Sequence, residues 1–173
     1  MRLVRASFLS TCALAQRIFN LSDVAWTLSN GINVTVPGKL PSQVHLDLLA
    51  AGIIEDPLYG FNDVEQLWVQ RLNWTWTSEP LTGLDKTNSS QTWLVFEGLD
   101  TFVEIKMCNR TVANVNNQFR QFTFDVTALL PLCSGDPTLS LNFGSASKIV
   151  LDIEKTGPGE NNTKTRSALL SSY

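Results

Sequence analysis

Histidine is almost missing from this sequence: of 173 residues only His45 is one, and cysteine appears just at Cys12, Cys108 and Cys133. One histidine distant from two or three cysteines does not make a four-ligand zinc site. No serine, cysteine or acid stands at a spacing from His45 that implies a nucleophilic triad, so packing is its expected role. No glycine loop of a catalytic motif and no internal repeat occurs. No apolar run approaches the length of a membrane helix. Basic residues are outnumbered, 13 Lys and Arg against 16 Asp and Glu, and they form no stripe. That balance argues against a nucleic-acid partner. Neither a cofactor nor a metal is expected, and neither a nucleic acid nor a membrane is an expected partner.

What is present points first to secretion. Arg2 and Arg5 precede a mostly apolar or small run from Ala6 to Leu14, and Ala13-Leu14-Ala15 forms an A-x-A cleavage pattern before Gln16. Residues 1–15 therefore read as a signal peptide and the product as an extracellular protein. Its removal leaves eleven basic and sixteen acidic residues, a formal −5. Six glycosylation sequons agree with this route, at Asn20, Asn33, Asn73, Asn88, Asn109 and Asn161. Any occupied one must face water, since a glycan is bulky and hydrated. Cys12 leaves with the signal. Cys108 and Cys133 remain as an even pair, read as one disulfide in an oxidising compartment, with two buried thiols as the other possibility.

From Leu21 to about Phe143 the hydrophobic period is two. Val103, Ile105 and Met107 alternate with polar residues, as do Phe122, Phe124 and Val126, and Leu139, Leu141 and Phe143. Each is a strand with one buried and one wet face. Thr92–Phe96 is more continuously apolar and reads as a strand covered on both sides. Further strands are expected at 26–28, 33–36, 74–77 and 111–115. About eight strands with one short helix give an all-β fold, a jelly-roll β-sandwich. Gly83–Ser90 reads as a hairpin loop. Residues 16–147 form the domain, and 148–173, which lose the alternation, are expected to be disordered.

The stretch from Val36 to Thr77 breaks the pattern. Ser42 is placed to cap a helix carrying Val44, Leu48 and Ala51 on one face, and Gly52 to end it. Asn62 and Glu65 are spaced like a capping box. This stretch, with Pro37-Gly38, His45, Asp47-Leu48, Gly52, Asp56-Pro57, Tyr59-Gly60, Asn62, Trp68-Val69 and Trp74, resembles the beginning of the β-mannosidases among family 2 glycoside hydrolases, especially secreted fungal ones. FEGLDTFVEI from Phe96 and NNQFRQFTFDV from Asn116 continue the resemblance, which spans roughly residues 20–147.

The resemblance implies a galactose-binding-domain-like sandwich, the first domain of enzymes that remove terminal non-reducing β-D-mannose. The two catalytic glutamates of such enzymes lie in a later barrel, roughly 5–5.5 Å apart for retaining chemistry. No catalytic residue is expected here, the chain reads as truncated before that barrel, and acids such as Glu65, Glu97, Asp100 and Glu104 are read as solvated. The expected sugar contacts are Asp56, Tyr59, Asn62, Asp63 and Trp68, an aromatic and carboxamide set suited to a pre-formed site. Trp26, Trp74 and Trp93 are read as core or interdomain packing. Implied partners are β-mannosides or mannan-derived oligosaccharides and the C-terminal domains of the same enzyme. The alternative is a stand-alone mannoside-binding, lectin-like module without catalysis.

Overall fold

The computed structural model describes residues 17–87 and 91–156, so the signal segment, Asn88 and Asn161 lie outside the described residues. Among the described residues eight strands are present: β1 (Trp26–Ser29), β2 (Thr35–Gly38), β3 (Trp74–Ser78), β4 (Trp93–Phe96), β5 (Val103–Met107), β6 (Arg110–Val115), β7 (Phe122–Asp125) and β8 (Leu139–Phe143). Six of them form an antiparallel sheet in the order β2-β1-β3-β8-β5-β6, and β4 pairs with β7 in a second sheet. This is a β-sandwich. Alternation sends Trp26, Leu28, Trp74, Trp76, Ile105, Leu139 and Leu141 into the core, where Leu94 and Phe96 of the small sheet join them.

The other face of the large sheet is polar and its register is informative. Thr75 stands opposite Asn142, Asn142 opposite Glu104, and Glu104 opposite Asn114. Thr75 Oγ1 donates to Asn142 Oδ1 at 2.9 Å, and Asn142 Nδ2 donates to Glu104 Oε2 at 3.2 Å. A continuous polar row thus crosses four strands. Cys108 and Cys133 form the disulfide, with Cα atoms 5.5 Å apart.

Several local expectations are corrected. The helix expected near Ser42 is α1 (Val44–Ala50), but its N-cap is Gln43 and no side chain caps it. Ser42 Oγ donates instead to Asp47 Oδ1 at 2.7 Å. Gly52 does end the helix: its φ is +70°, its N–H donates to Leu49 O, and Ile53 N–H donates to Leu48 O. The capping box does not form, since α2 (Asn62–Glu65) has Phe61 at its N-cap and no side-chain cap. One more turn, α3 (Leu67–Gln70), follows, so the single-helix expectation is too low.

Strand β4 is covered on one face only. Leu94 and Phe96 point inward, while Trp93 is 52% exposed and Val95 is also exposed. With β7 as its single neighbouring strand, β4 leaves Trp93 and Val95 about half open to solvent. The segment after β3 is not a hairpin loop, because β3 and β4 belong to different sheets. Of the tail expected to be disordered, the part after Thr156 is outside the described residues, and residues 148–156 lie in helix α4 (Ala146–Thr156). Ser145 explains its start: Oγ accepts from Lys148 N and donates to Gln70 O at 2.7 Å, fastening the first turn to the end of α3.

Candidate functional site

The segment between α1 and β3 carries the five expected sugar contacts and is built by turns. Pro57 follows Asp56, whose Oδ1 accepts from Leu58 N–H at 2.9 Å. Asn62 Nδ2 donates to Asp56 O at 2.8 Å, closing the loop from its other side. Gln66 Nε2 reaches back to Glu55 O at 2.9 Å. Asp56 and Asn62 therefore shape the segment, and Tyr59, 76% exposed, and Asp63 project from it. Trp68 differs from these four. It is half-buried, with its ring 6.2 Å from that of Trp74, and packs against the core.

The same segment is a ridge of apolar side chains. Leu46, Leu49 and Ile53 follow one another at helical spacing along α1 and its end, and Leu58, Tyr59, Phe61, Val64 and Leu67 continue beyond it, all exposed. Leu58 is 94% and Phe61 80% exposed. Such a concentration of exposed apolar side chains is unusual on a solvent-facing surface.

The ridge is held by a buried polar anchor. Asp47 lies beneath α1, where its Oδ2 accepts from Trp76 Nε1 at 2.9 Å and its Oδ1 from Ser42. Lys39 N–H adds a third, longer bond at 3.4 Å. His45 is half-buried, and burial lowers its pKa below the ordinary histidine value.

A cleft of about 470 Å³ opens at one end of the large sheet, away from the expected residues. Strand ends supply Asn73, Phe102, Val103, Glu104, Val115, Asn142 and Phe143, and Ile149 of α4 closes one side. Lys106, Asn142 and Thr111, in that order, hold the Glu104 carboxyl below the usual range. The Lys106 ammonium is 2.9 Å from it. Glu104 is thus an anchored acceptor, not a poised acid. Sequence reasoning missed this cleft. Alternation puts Glu104, Asn114 and Asn142 on wet faces, but only the cross-strand register shows that they are neighbours.

A family model described as glycosyl hydrolase 2 galactose-binding domain-like matches residues 26–171. The chain belongs to this family. The family match runs past residue 147, where the resemblance in the sequence was expected to end. Beta-mannosidase A of Aspergillus terreus is 53% identical over 148 residues, covering 85% of this chain and 16% of that protein. Beta-mannosidase A of Aspergillus niger is 53% identical over 139 residues, covering 80% and 15%. Among solved structures, the beta-D-mannosidase of Dictyoglomus thermophilum superposes with a TM-score of 0.70 at 30% identity, covering 78% of this chain and 16% of that one. The chain spans 15–16% of the length of these relatives, and its resemblance is to their N-terminal domain.

Proposed function

We propose that this chain acts as the N-terminal domain of a secreted β-mannosidase, an enzyme that releases terminal non-reducing β-D-mannose from β-mannosides or mannan-derived oligosaccharides. The 53% identity to a beta-mannosidase A across 85% of the chain carries the reading. In it, the apolar ridge from Leu46 to Leu67 is the face that packs on the remainder of the enzyme, and the exposed side of the same segment borders the sugar pocket. Tyr59 supplies a ring for the C–H face of a pyranose, and Asp63 supplies an acceptor for its hydroxyls. Asp56 and Asn62 hold that segment in shape, and Trp68 fixes its exit into β3.

Catalysis belongs to carboxylates outside these 173 residues. The carboxylates best placed in the fold are otherwise engaged, Asp47 with Trp76 and Ser42, and Glu104 with Lys106. The disulfide fits passage through an oxidising compartment.

An aryl β-mannoside assay tests the proposal. The purified 173-residue chain should release no phenol, while the complete secreted product of the same gene should turn over. In that product Tyr59→Ala should raise KM more than it lowers kcat. Turnover by the short chain, with contaminants excluded, would overturn the reading. Saturable binding of mannan fragments by the short chain alone would favour the lectin-like alternative.

A further inference from the structure

We propose that Asn73 carries an N-linked glycan whose first N-acetylglucosamine is seated in the cleft at the end of the six-stranded sheet. The inference rests on the secretory part of the function proposed above, because the modification occurs only on that route.

Four sequon asparagines lie among the described residues, Asn20, Asn33, Asn73 and Asn109, and all four are exposed. Asn73 is the one of them that lines the cleft. Its amide is also fixed in place: Oδ1 accepts from the Ser145 backbone N–H at 2.9 Å. Nδ2, the atom that takes the sugar, makes no hydrogen bond to the described residues. The hydroxyl residue of the sequon, Thr75, stands two positions on along β3, on the polar face of the sheet.

The lining matches the two sides of a pyranose. Asn114 and Asn116 present carboxamides to hydroxyls and to the acetamide group, and the Glu104 carboxylate, already paired with Lys106 and Thr111, keeps acceptor capacity for a further donor. Phe102, Phe143 and Ile149 offer apolar surface to ring C–H groups and the acetamide methyl. At about 470 Å³ the cleft falls in the size range of small-molecule sites, and being open it lets the outer sugars continue into water. The covalent step uses an oligosaccharide linked to a lipid diphosphate. Its C1–O bond breaks as C1 bonds to Nδ2, the amide gives up one proton to a base of the transferase, and the lipid diphosphate departs. Seated in this way, the sugar joins the ends of β3, β5, β6 and β8 to helix α4.

Glycopeptide mass spectrometry and endoglycosidase digestion of the full secreted product test this. Asn73 should be occupied, and under native conditions its core should be cut about tenfold more slowly than glycans at Asn20, Asn33 or Asn109, a ratio that corresponds to ~1.4 kcal/mol of seating. Phe102→Ala, which leaves the sequon intact, should keep occupancy and abolish the difference. An unmodified Asn73 in a chain glycosylated elsewhere would overturn the proposal and leave secretion standing. Equal cutting rates at all sites would overturn the seat. A product with no glycan at any sequon would overturn the proposal together with the secretory reading.

Discussion

Trp76 Nε1–H donates to Asp47 Oδ2 at 2.9 Å, joining the central strand β3 to helix α1 through two buried side chains. The bond ties the platform of the apolar ridge to the middle of the large sheet. Asp47→Ala would leave the indole N–H without its acceptor in the interior, while the half-buried Ser42 hydroxyl keeps Gln43 O as a partner. We expect a loss of about 2–3 kcal/mol, measured by urea denaturation with tryptophan fluorescence as the probe. Asp47→Asn, which keeps an acceptor oxygen, should lose less.

Gly38 stands against the same indole. A Cβ there would lie 3.0 Å from Trp76 Cδ1 and 3.2 Å from the backbone N of Leu28. The buried ring and the strand backbone have little room to yield. Gly38→Ala should therefore cost about 1–3 kcal/mol, read as a lower denaturation midpoint at unchanged m-value.

The Cys108–Cys133 bridge spans a sequence separation of 25. Closing a loop of that size restricts the unfolded chain and stabilises the fold by about 3 kcal/mol in the chain-entropy picture. The double variant Cys108→Ser with Cys133→Ser should lower stability by that amount, checked by thermal or urea unfolding. An unchanged unfolding curve would show that the bridge contributes nothing.

His45 sets a pH dependence. Burial lowers its folded-state pKa below the usual 6.5, so the unfolded chain binds the proton first as pH falls. The contribution is fully present above about pH 6.5 and is lost as pH falls through the lowered folded value. His45→Gln should flatten stability against pH between neutrality and mild acid, measured by denaturation at a series of pH values. A slope unchanged by the substitution would assign it to other groups.

Exposed apolar side chains on the ridge predict association of the isolated chain. Leu58 and Phe61 are the most exposed of the ridge residues named. Light scattering should show concentration-dependent growth that Leu58→Ser with Phe61→Ser reduces, while circular dichroism stays unchanged.

Much of this architecture is legible in the order of residues. The alternation from Val103 to Met107 and from Leu139 to Phe143 marks β5 and β8 to the residue, because each has one wet and one buried face. Gly52 announces the end of α1, since its left-handed backbone is what a Schellman turn requires. Trp26 and Trp74 are core residues as their strand patterns imply. Trp93 shows the limit of such patterns, since an apolar run reveals strand character and not whether a neighbour covers its second face. The helix after Ser145 was illegible for a related reason: its start is fixed by Gln70 and Asn73, some seventy residues earlier in the chain. The burial of Asp47 is not legible along α1 itself, because its partner Trp76 stands 29 residues further on. The cleft is hardest to read, because its polar wall exists only through the pairing of β3, β8, β5 and β6.

The most direct test of the account is the mass of the natural secreted product after complete deglycosylation. The account predicts a species several times heavier than the 19.2 kDa of this sequence, carrying β-mannosidase activity in the same chromatographic peak. A secreted species at the mass of this chain alone, less its signal peptide and without hydrolytic activity, would contradict it.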